Sequence, residues 1–297
     1  MVGNVGNVGN VGNVGNAGNI GNVQGGRNAY TVPDRADLPF VLTEYDQKPL
    51  VEYRNLEATF GKSWEVSWLT WSTLAEFVQL RSDETPTAAA FLDTRPDEPL
   101  PFDSDPMQAE IRTLIRAAAD ERADALGEIY SQSQEFLQDF MALLAINTSN
   151  YRSTYAVMNM AGMIGLFTVQ YWKRVFNRAR PSQVVPALLP ATTVPGHASY
   201  PSGHATQSWL IALALQDVLQ TAKPPRPGSS AALFALADRI ARNREIAGLH
   251  FPSDTAAGKT LAEDLLPLLG ACASFKTALE LAKREWNPDL VAQKAES

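Results

Sequence analysis

Apolar side chains return every three or four positions through most of the chain beyond residue 60, and nowhere alternate strictly with polar ones. Trp64, Val66, Trp68, Leu69, Trp71, Leu74, Phe77 and Val78 predict a helix over about Trp64–Leu80, with the aromatic stripe turned to a core. A proline-rich acidic stretch, 83–106, ends in Ser104-Asp105-Pro106. That order predicts a helix start with Asp105 as N-cap, Pro106 at the first helical position and Gln108 at the third. The helical pattern then runs to about Ile146, with a break expected near Gly127. After a turn at Asn147–Asn150, a helix is predicted from about Tyr151 to Arg178. A long loop with five prolines fills 181–203. Helices follow over about His204–Thr221, Ser230–Glu245 and Thr255–Lys283, the last kinked or split at Pro267.

With no strand pattern, the fold class is all-α: a multi-helix bundle, with residues 29–297 as a single helical catalytic domain. Residues 1–28 read as a tail. Within it, positions 2–22 are seven triplets, five of them Val-Gly-Asn. Glycine and asparagine cost backbone entropy to order and bury little, so a flexible tail is expected. Ala29–Leu56, with Pro33, Pro39 and Pro49, reads as an irregular lead-in.

Composition narrows the function. The chain has 297 residues, 45% of them hydrophobic, enough for a substantial core. A net charge of −7 excludes a broad nucleic-acid face, but not a local cationic pocket. The stretch from Met158 to Trp172 is too short for a membrane span and reads as a core helix. No export signal is visible. A soluble protein without integral membrane association is therefore expected, its compartment periplasmic or cytoplasmic. The single cysteine, Cys272, reads as a small buried hydrophobe. No cluster of metal-ligand residues stands out.

Three short constellations carry the chemistry. Lys173 and Arg180 lie seven residues apart, close to two helical turns, so both project from one helix face before Pro181. Taken alone, they also fit a solvated basic helix end. In Tyr200-Pro201-Ser202-Gly203-His204, glycine lets a ligand approach the backbone, and a helix starting there turns free N–H groups outward. A simple helix cap explains that segment equally well. In Arg244-x5-His250-x3-Asp254, the carboxylate is placed to bond one ring nitrogen of His250 and leave the other as a nucleophile. Arg244 offers a planar fork for oxyanion oxygens. Ser253-Asp254 also suits a cap for the following helix. The chain has three histidines, and His204 and His250 both fall in these constellations. The third, His197, lies seven residues before His204 and reads as a loop hydrogen-bonder with a route to the pocket.

The order Lys-x6-Arg-Pro, Pro-Ser-Gly-His, Arg-x5-His-x3-Asp resembles the type-2 phosphatidic acid phosphatase and vanadium haloperoxidase superfamily, nearest to its soluble bacterial class A acid phosphatases. The resemblance covers 173–254 and implies a metal-independent phosphomonoesterase without a cofactor, acting on a small phosphate ester. His250 would then be the nucleophile forming a phosphohistidine, Asp254 its orienting partner and His204 the general acid and base. Lys173, Arg180, Ser202, Gly203 and Arg244 would hold the phosphate. The alternative is a vanadium-dependent haloperoxidase, with vanadate ligated by His250 in the same pocket. Ala205-Thr206 leans toward the peroxidases, and Phe251-Pro252-Ser253-Asp254 toward the phosphatases. A homo-oligomer is compatible with either. One departure is Asn243, where the family usually has serine before the motif arginine.

Overall fold

The computed structural model describes residues 65–292. The expected tail (1–28), the lead-in (29–56) and Trp64 lie outside the described residues. Among those described, the architecture is helical throughout, with one isolated bridge between Arg81 and Ala89. The helices are α1 (Val66–Gln79), α2 (Asp105–Asp120), α3 (Arg122–Glu135), α4 (Leu137–Leu144) and α5 (Arg152–Phe176). After the short α6 (Pro181–Val184) come α7 (Gly203–Gln220), α8 (Ser229–Ile246), α9 (Pro252–Ala271), α10 (Ala273–Trp286) and α11 (Asp289–Ala292).

The inner helices are α5 and α7. They pack on each other, α7 also touching α8 and α9, while α5 is flanked by α1 and α10. Their composition explains this position. Val157, Met158, Ile164 and Val169 of α5 meet Leu210, Ile211, Leu215 and Val218 of α7 in one continuous core. A helix apolar on most of its faces is stable only when surrounded. Each such side chain contributes about 1.5–3 kcal/mol on full burial. The predicted core helix Met158–Trp172 lies within α5 as expected.

Several expectations are corrected. The tryptophan stripe of α1 is not core: Trp68 and Trp71 remain 46% and 44% exposed, while Thr70, Thr73 and Phe77 face inward. The N-cap of α2 is Ser104, whose Oγ accepts the Met107 amide at 3.3 Å, which shifts Asp105 and Pro106 one position into the helix. The long stretch after it breaks at Glu121 and Phe136, and Gly127 sits inside α3. Both breaks serve tertiary contacts. Arg122 reaches the carbonyls of Ile246, Leu188 and Leu189, and the Phe136 ring packs on His204 with centroids 5.2 Å apart. Pro267 is accommodated within α9; the chain turns instead at Cys272, between two helices bent by 94°. The Cys272 thiol is buried, as expected, and burial raises its pKa to about 11. The 181–203 stretch is not wholly loop: it contains α6 and a 3₁₀ turn at Pro186–Leu188.

Among the described residues no single helix is long and apolar enough to cross a membrane; the α9–α10 pair passes that test only jointly, across its 94° bend.

Candidate active site

Three helix boundaries converge to build the site. Helix α5 ends at Phe176, where Asn177 turns left-handed (φ 45°) and its amide bonds the Lys173 carbonyl at 2.9 Å. Arg180 therefore does not share the Lys173 helix face, as the spacing suggested. It arrives from the extended segment beyond the helix (φ −74°, ψ 154°). Both residues nonetheless line one small cavity of about 30 Å³, along with Gly203, His204, Arg244 and His250.

The second boundary is the start of α7. Ser202 caps it, its Oγ accepting the Ala205 amide at 3.4 Å, which leaves the hydroxyl hydrogen free. The third is the start of α9. There Asp254 does the two things its position allows: its Oδ2 accepts the Phe251 amide at 3.0 Å and lies 3.1 Å from His250 Nδ1. The Ser202 amide in turn bonds the Asp254 carbonyl at 2.9 Å, tying the two starts together.

The hydrogen-bond pattern assigns the tautomer of His250. Arg180 Nη1 lies 3.2 Å from His250 Nε2. A guanidinium can only donate, so Nε2 bears the lone pair and Nδ1 the hydrogen given to Asp254. Burial first, then the Arg180 charge, pushes the His250 pKa well below the ordinary imidazole value, against the pull of Asp254. The ring is neutral, with its basic nitrogen toward the cavity. Asp254 is wholly buried, and its carboxyl stays below the usual carboxylate range despite burial, because His250, Arg178 and Ser199 stabilise the anion.

Arg178 and Ser199 were not singled out in the sequence. Arg178 Nη1 pairs with Asp254 Oδ1 at 2.6 Å, both side chains buried, and Ser199 Oγ donates to Oδ2. Arg178 is one of four cations within eight residues, with Lys173, Arg174 and Arg180, and nothing in the spacing distinguishes it as the one facing the carboxylate.

The cations are held by main-chain carbonyls. Lys173 Nζ donates to Ala198 and Ser199 oxygens at 2.9 and 2.6 Å. Burial, then Arg180, lowers its pKa well below the lysine value. Arg180 bonds the carbonyls of His197 and Leu249, and Arg244 Nη2 that of Ile129 at 2.7 Å. Burial lowers both guanidinium pKa values to about 10, which leaves them charged at neutral pH. His204 Nε2 lies 3.3 Å from the Gln132 carbonyl, so Nε2 donates there and Nδ1 is the free nitrogen. Burial, followed by Arg244 and His250, lowers its pKa well below the imidazole value.

Three residues around this cavity carry buried polar atoms with no partner: Arg244 Nε, His197 Nε2 and Gln207 Oε1. Buried polar groups are otherwise nearly always satisfied, so such a group marks a place for a ligand or water. Gln207 was not foreseen; its Nε2 donates to the Gly162 carbonyl at 3.0 Å, so its oxygen is the free end. Asn243, the departure from the family pattern, donates to Glu128 and Gln132 at 2.9 Å each, fastening α8 to α3 beneath Arg244.

Of the residues proposed for the site from sequence, Lys173, Arg180, Gly203, His204, Arg244 and His250 line one cavity; Asp254 adjoins it through His250, and Ser202 is the helix cap that precedes Gly203. Residues 154–269 match the family model described as PAP2 superfamily. An acid phosphatase of Zymomonas mobilis subsp. mobilis is 32% identical over 87 residues, which is 29% of this chain and 30% of that relative. The crystal structure of a transmembrane PAP2 type phosphatidylglycerolphosphate phosphatase from Bacillus subtilis superposes with a TM-score of 0.43 at 18% identity. It covers 67% of this chain and 94% of that one.

Proposed function

We propose that the protein is a phosphomonoesterase working through a phosphohistidine. One observation carries this reading: a neutral, buried His250 with its Nδ1 hydrogen on Asp254 and its Nε2 lone pair among three cationic side chains. The matched superfamily domain and the resemblance to an acid phosphatase support it.

The phosphoryl oxygens sit among Lys173, Arg180, Arg244, the Ser202 hydroxyl and the Gly203 amide. His250 Nε2 forms a bond to phosphorus as the P–O bond to the leaving group breaks. The electron pair leaves on the alkoxide oxygen, which takes a proton from Nδ1 of His204. A water then attacks the phosphohistidine, giving a proton back to His204, and the P–N bond breaks to release phosphate. His204 must be protonated in the first step. Burial first, then Arg244 and His250, oppose this, and the negative charge of a phosphate ester in the pocket pulls the other way. Fixed donors and cations aimed at the three equatorial oxygens supply most of the stabilisation such a transfer needs.

The same pocket would accept vanadate, with His250 Nε2 as the ring nitrogen facing it. Vanadate is therefore expected to inhibit. The test is hydrolysis of p-nitrophenyl phosphate in EDTA beside halide oxidation with vanadate and peroxide. Metal-independent hydrolysis, blocked by vanadate and abolished in His250→Ala, is the expected outcome. Brisk vanadate-dependent halide oxidation with negligible hydrolysis would overturn the reading in favour of the peroxidase. Near-normal turnover by His250→Ala would refute the phosphohistidine.

A further inference from the structure

We propose that Gln207 holds the attacking water in the second half of the reaction, its Oε1 accepting the hydrogen that His204 does not take. The proposal rests on the phosphohistidine reading above and assigns the residue that prepares that intermediate for hydrolysis.

Gln207 lies on α7 three residues after His204, so the two side chains share a helix face. Both line the catalytic cavity. The Gln207 side chain is 1% exposed. Its Nε2 donates to the Gly162 carbonyl of α5 at 3.0 Å. Turning the amide over would set two oxygens against each other, so Oε1 is fixed as the free end. The stem is held as tightly. A Cβ on Gly165 would lie 3.2 Å from Gln207 Cγ, so a glycine is what lets α5 pass this close. Oε1 is thus a preset, buried acceptor with no protein partner.

An acceptor is out of place in a pocket built for an anion. Lys173, Arg180, Arg244 and Gly203 offer N–H groups to phosphoryl oxygens. Oε1 repels a bare phosphoryl oxygen, so what it binds must carry a hydrogen. A phosphate monoester loses its last proton near pH 6, at about neutral conditions. Three cations favour the dianion further, so at neutral pH the ester brings no O–H to the site. The attacking water does. One of its hydrogens passes to His204 Nδ1 as the O–P bond forms and the P–N bond to His250 breaks. The other stays on the oxygen, and its acceptor decides whether the attacking lone pair faces phosphorus. Among the described residues lining this cavity, Gln207 Oε1 is the buried, unpartnered amide oxygen able to take it.

The experiment mixes the full chain rapidly with p-nitrophenyl phosphate and follows two rates: the burst of p-nitrophenol, and the decay of phosphohistidine trapped by quenching into alkali. It is run on the wild type, Gln207→Met, Gln207→Glu and His204→Ala. Gln207→Met keeps an unbranched stem but has no amide. Its phosphohistidine decay should slow about tenfold, as loss of one hydrogen bond to a reacting group does, while its burst rate stays near that of the wild type. Gln207→Glu at about pH 5, where a buried carboxylic acid keeps a donor for Gly162 and an acceptor for water, should recover most of the loss. The inhibition constant of inorganic phosphate should not move in Gln207→Met at either acid or alkaline pH. Equal slowing of burst and decay would mean that the amide only supports the packing of α7 on α5, and would overturn the proposal. So would weakened phosphate inhibition at acid pH alone, which would give Oε1 to a protonated phosphoryl oxygen. His204→Ala, lacking the base, should accumulate phosphohistidine. Its absence there and in every other variant, with p-nitrophenol still released, would instead bring down the phosphohistidine reading beneath the proposal.

Discussion

Single side chains in this site are defined by what they cannot do. A guanidinium cannot accept, so Arg180 forces a lone pair on every nitrogen it approaches. That argument fixed His250, and it applies equally to His197. His197 Nδ1 stands between Arg180 Nη2 at 3.0 Å, which can only donate, and the Ala198 carbonyl at 3.2 Å, which can only accept; the carbonyl also receives Arg180 Nη2 at 3.3 Å, so the shorter, charge-assisted contact makes Nδ1 the acceptor and leaves the hydrogen on Nε2. That N–H is buried, unpartnered and at the cavity wall. Burial first, then Lys173 and Arg180, lowers the His197 pKa to about 4, so the ring is neutral at working pH. We expect it to donate to a phosphoryl oxygen. A hydrogen bond to a charged acceptor contributes about 1.5–3 kcal/mol, so His197→Phe should weaken inhibition by inorganic phosphate roughly 10–100-fold. His197→Gln, which keeps an N–H at that reach, should recover most of it. The pH profile separates this from a charged role. A group with a depressed pKa is uncharged throughout pH 5–8, so the wild-type and Gln profiles should run parallel there. A wild-type advantage that grows toward pH 5 would mean that an imidazolium binds instead. His197 also marks the limit of reading a site from sequence. Its sequence position brought it near the pocket, but its donor edge depends on the Arg180 contact, a tertiary fact with no spacing rule behind it. Arg178, Ser199 and Gln207 were illegible for the same reason.

Helix starts were legible where a local rule governs them and misplaced where packing does. The α7 start follows from Ser202-Gly203 and the α9 start from Pro252 and Asp254, and both were found within a residue or three. The breaks at Glu121 and Phe136 carry no proline or glycine. They exist because Arg122 and Phe136 have distant partners, and a periodicity argument passes over them. The two motif helices also meet at a residue the sequence did not flag. A Cβ on Gly258 of α9 would lie 2.8 Å from the Ser202 carbonyl and 3.0 Å from Ala205 Cβ of α7. The obstruction is backbone at a helix start, not a yielding side-chain tip. Gly258→Ala must therefore push α9 from α7, straining the Ser202 amide bond to the Asp254 carbonyl. Overpacking of this kind costs about 1–3 kcal/mol. The expected result is a lowered urea midpoint together with a fall in kcat, since the displaced helix carries Asp254 and the loop before it His250. A variant that loses stability but keeps kcat would show that the two starts are not coupled through this contact.

Across the whole molecule, charge is distributed against function's apparent need: the chain is −7 overall, yet Lys173, Arg180 and Arg244 are buried at 2% exposure or less. The carboxylate nearest them, Asp254, is already paired with Arg178. Buried charge without a full counter-charge is costly, so an oxyanion bound among these cations offsets an electrostatic cost of the fold. Anything that binds only the folded state stabilises it by mass action, about 2.7 kcal/mol at a hundred times its dissociation constant. In a domain of this size that raises the thermal midpoint by roughly 5–10 °C. Phosphate and vanadate are expected to do so in the wild type, and chloride at matched ionic strength is not. Lys173→Met removes one of the three cations while keeping an unbranched apolar stem of similar length. It forfeits the bonds to the Ala198 and Ser199 carbonyls but also the cost of burying an ammonium, and the two effects oppose each other. Its midpoint without phosphate should stay within a few degrees of the wild type, at about 2–4 °C per kcal/mol, while the phosphate-induced rise largely disappears. A full phosphate shift in Lys173→Met would mean that the anion binds elsewhere, and that the interior cations are compensated by something other than substrate.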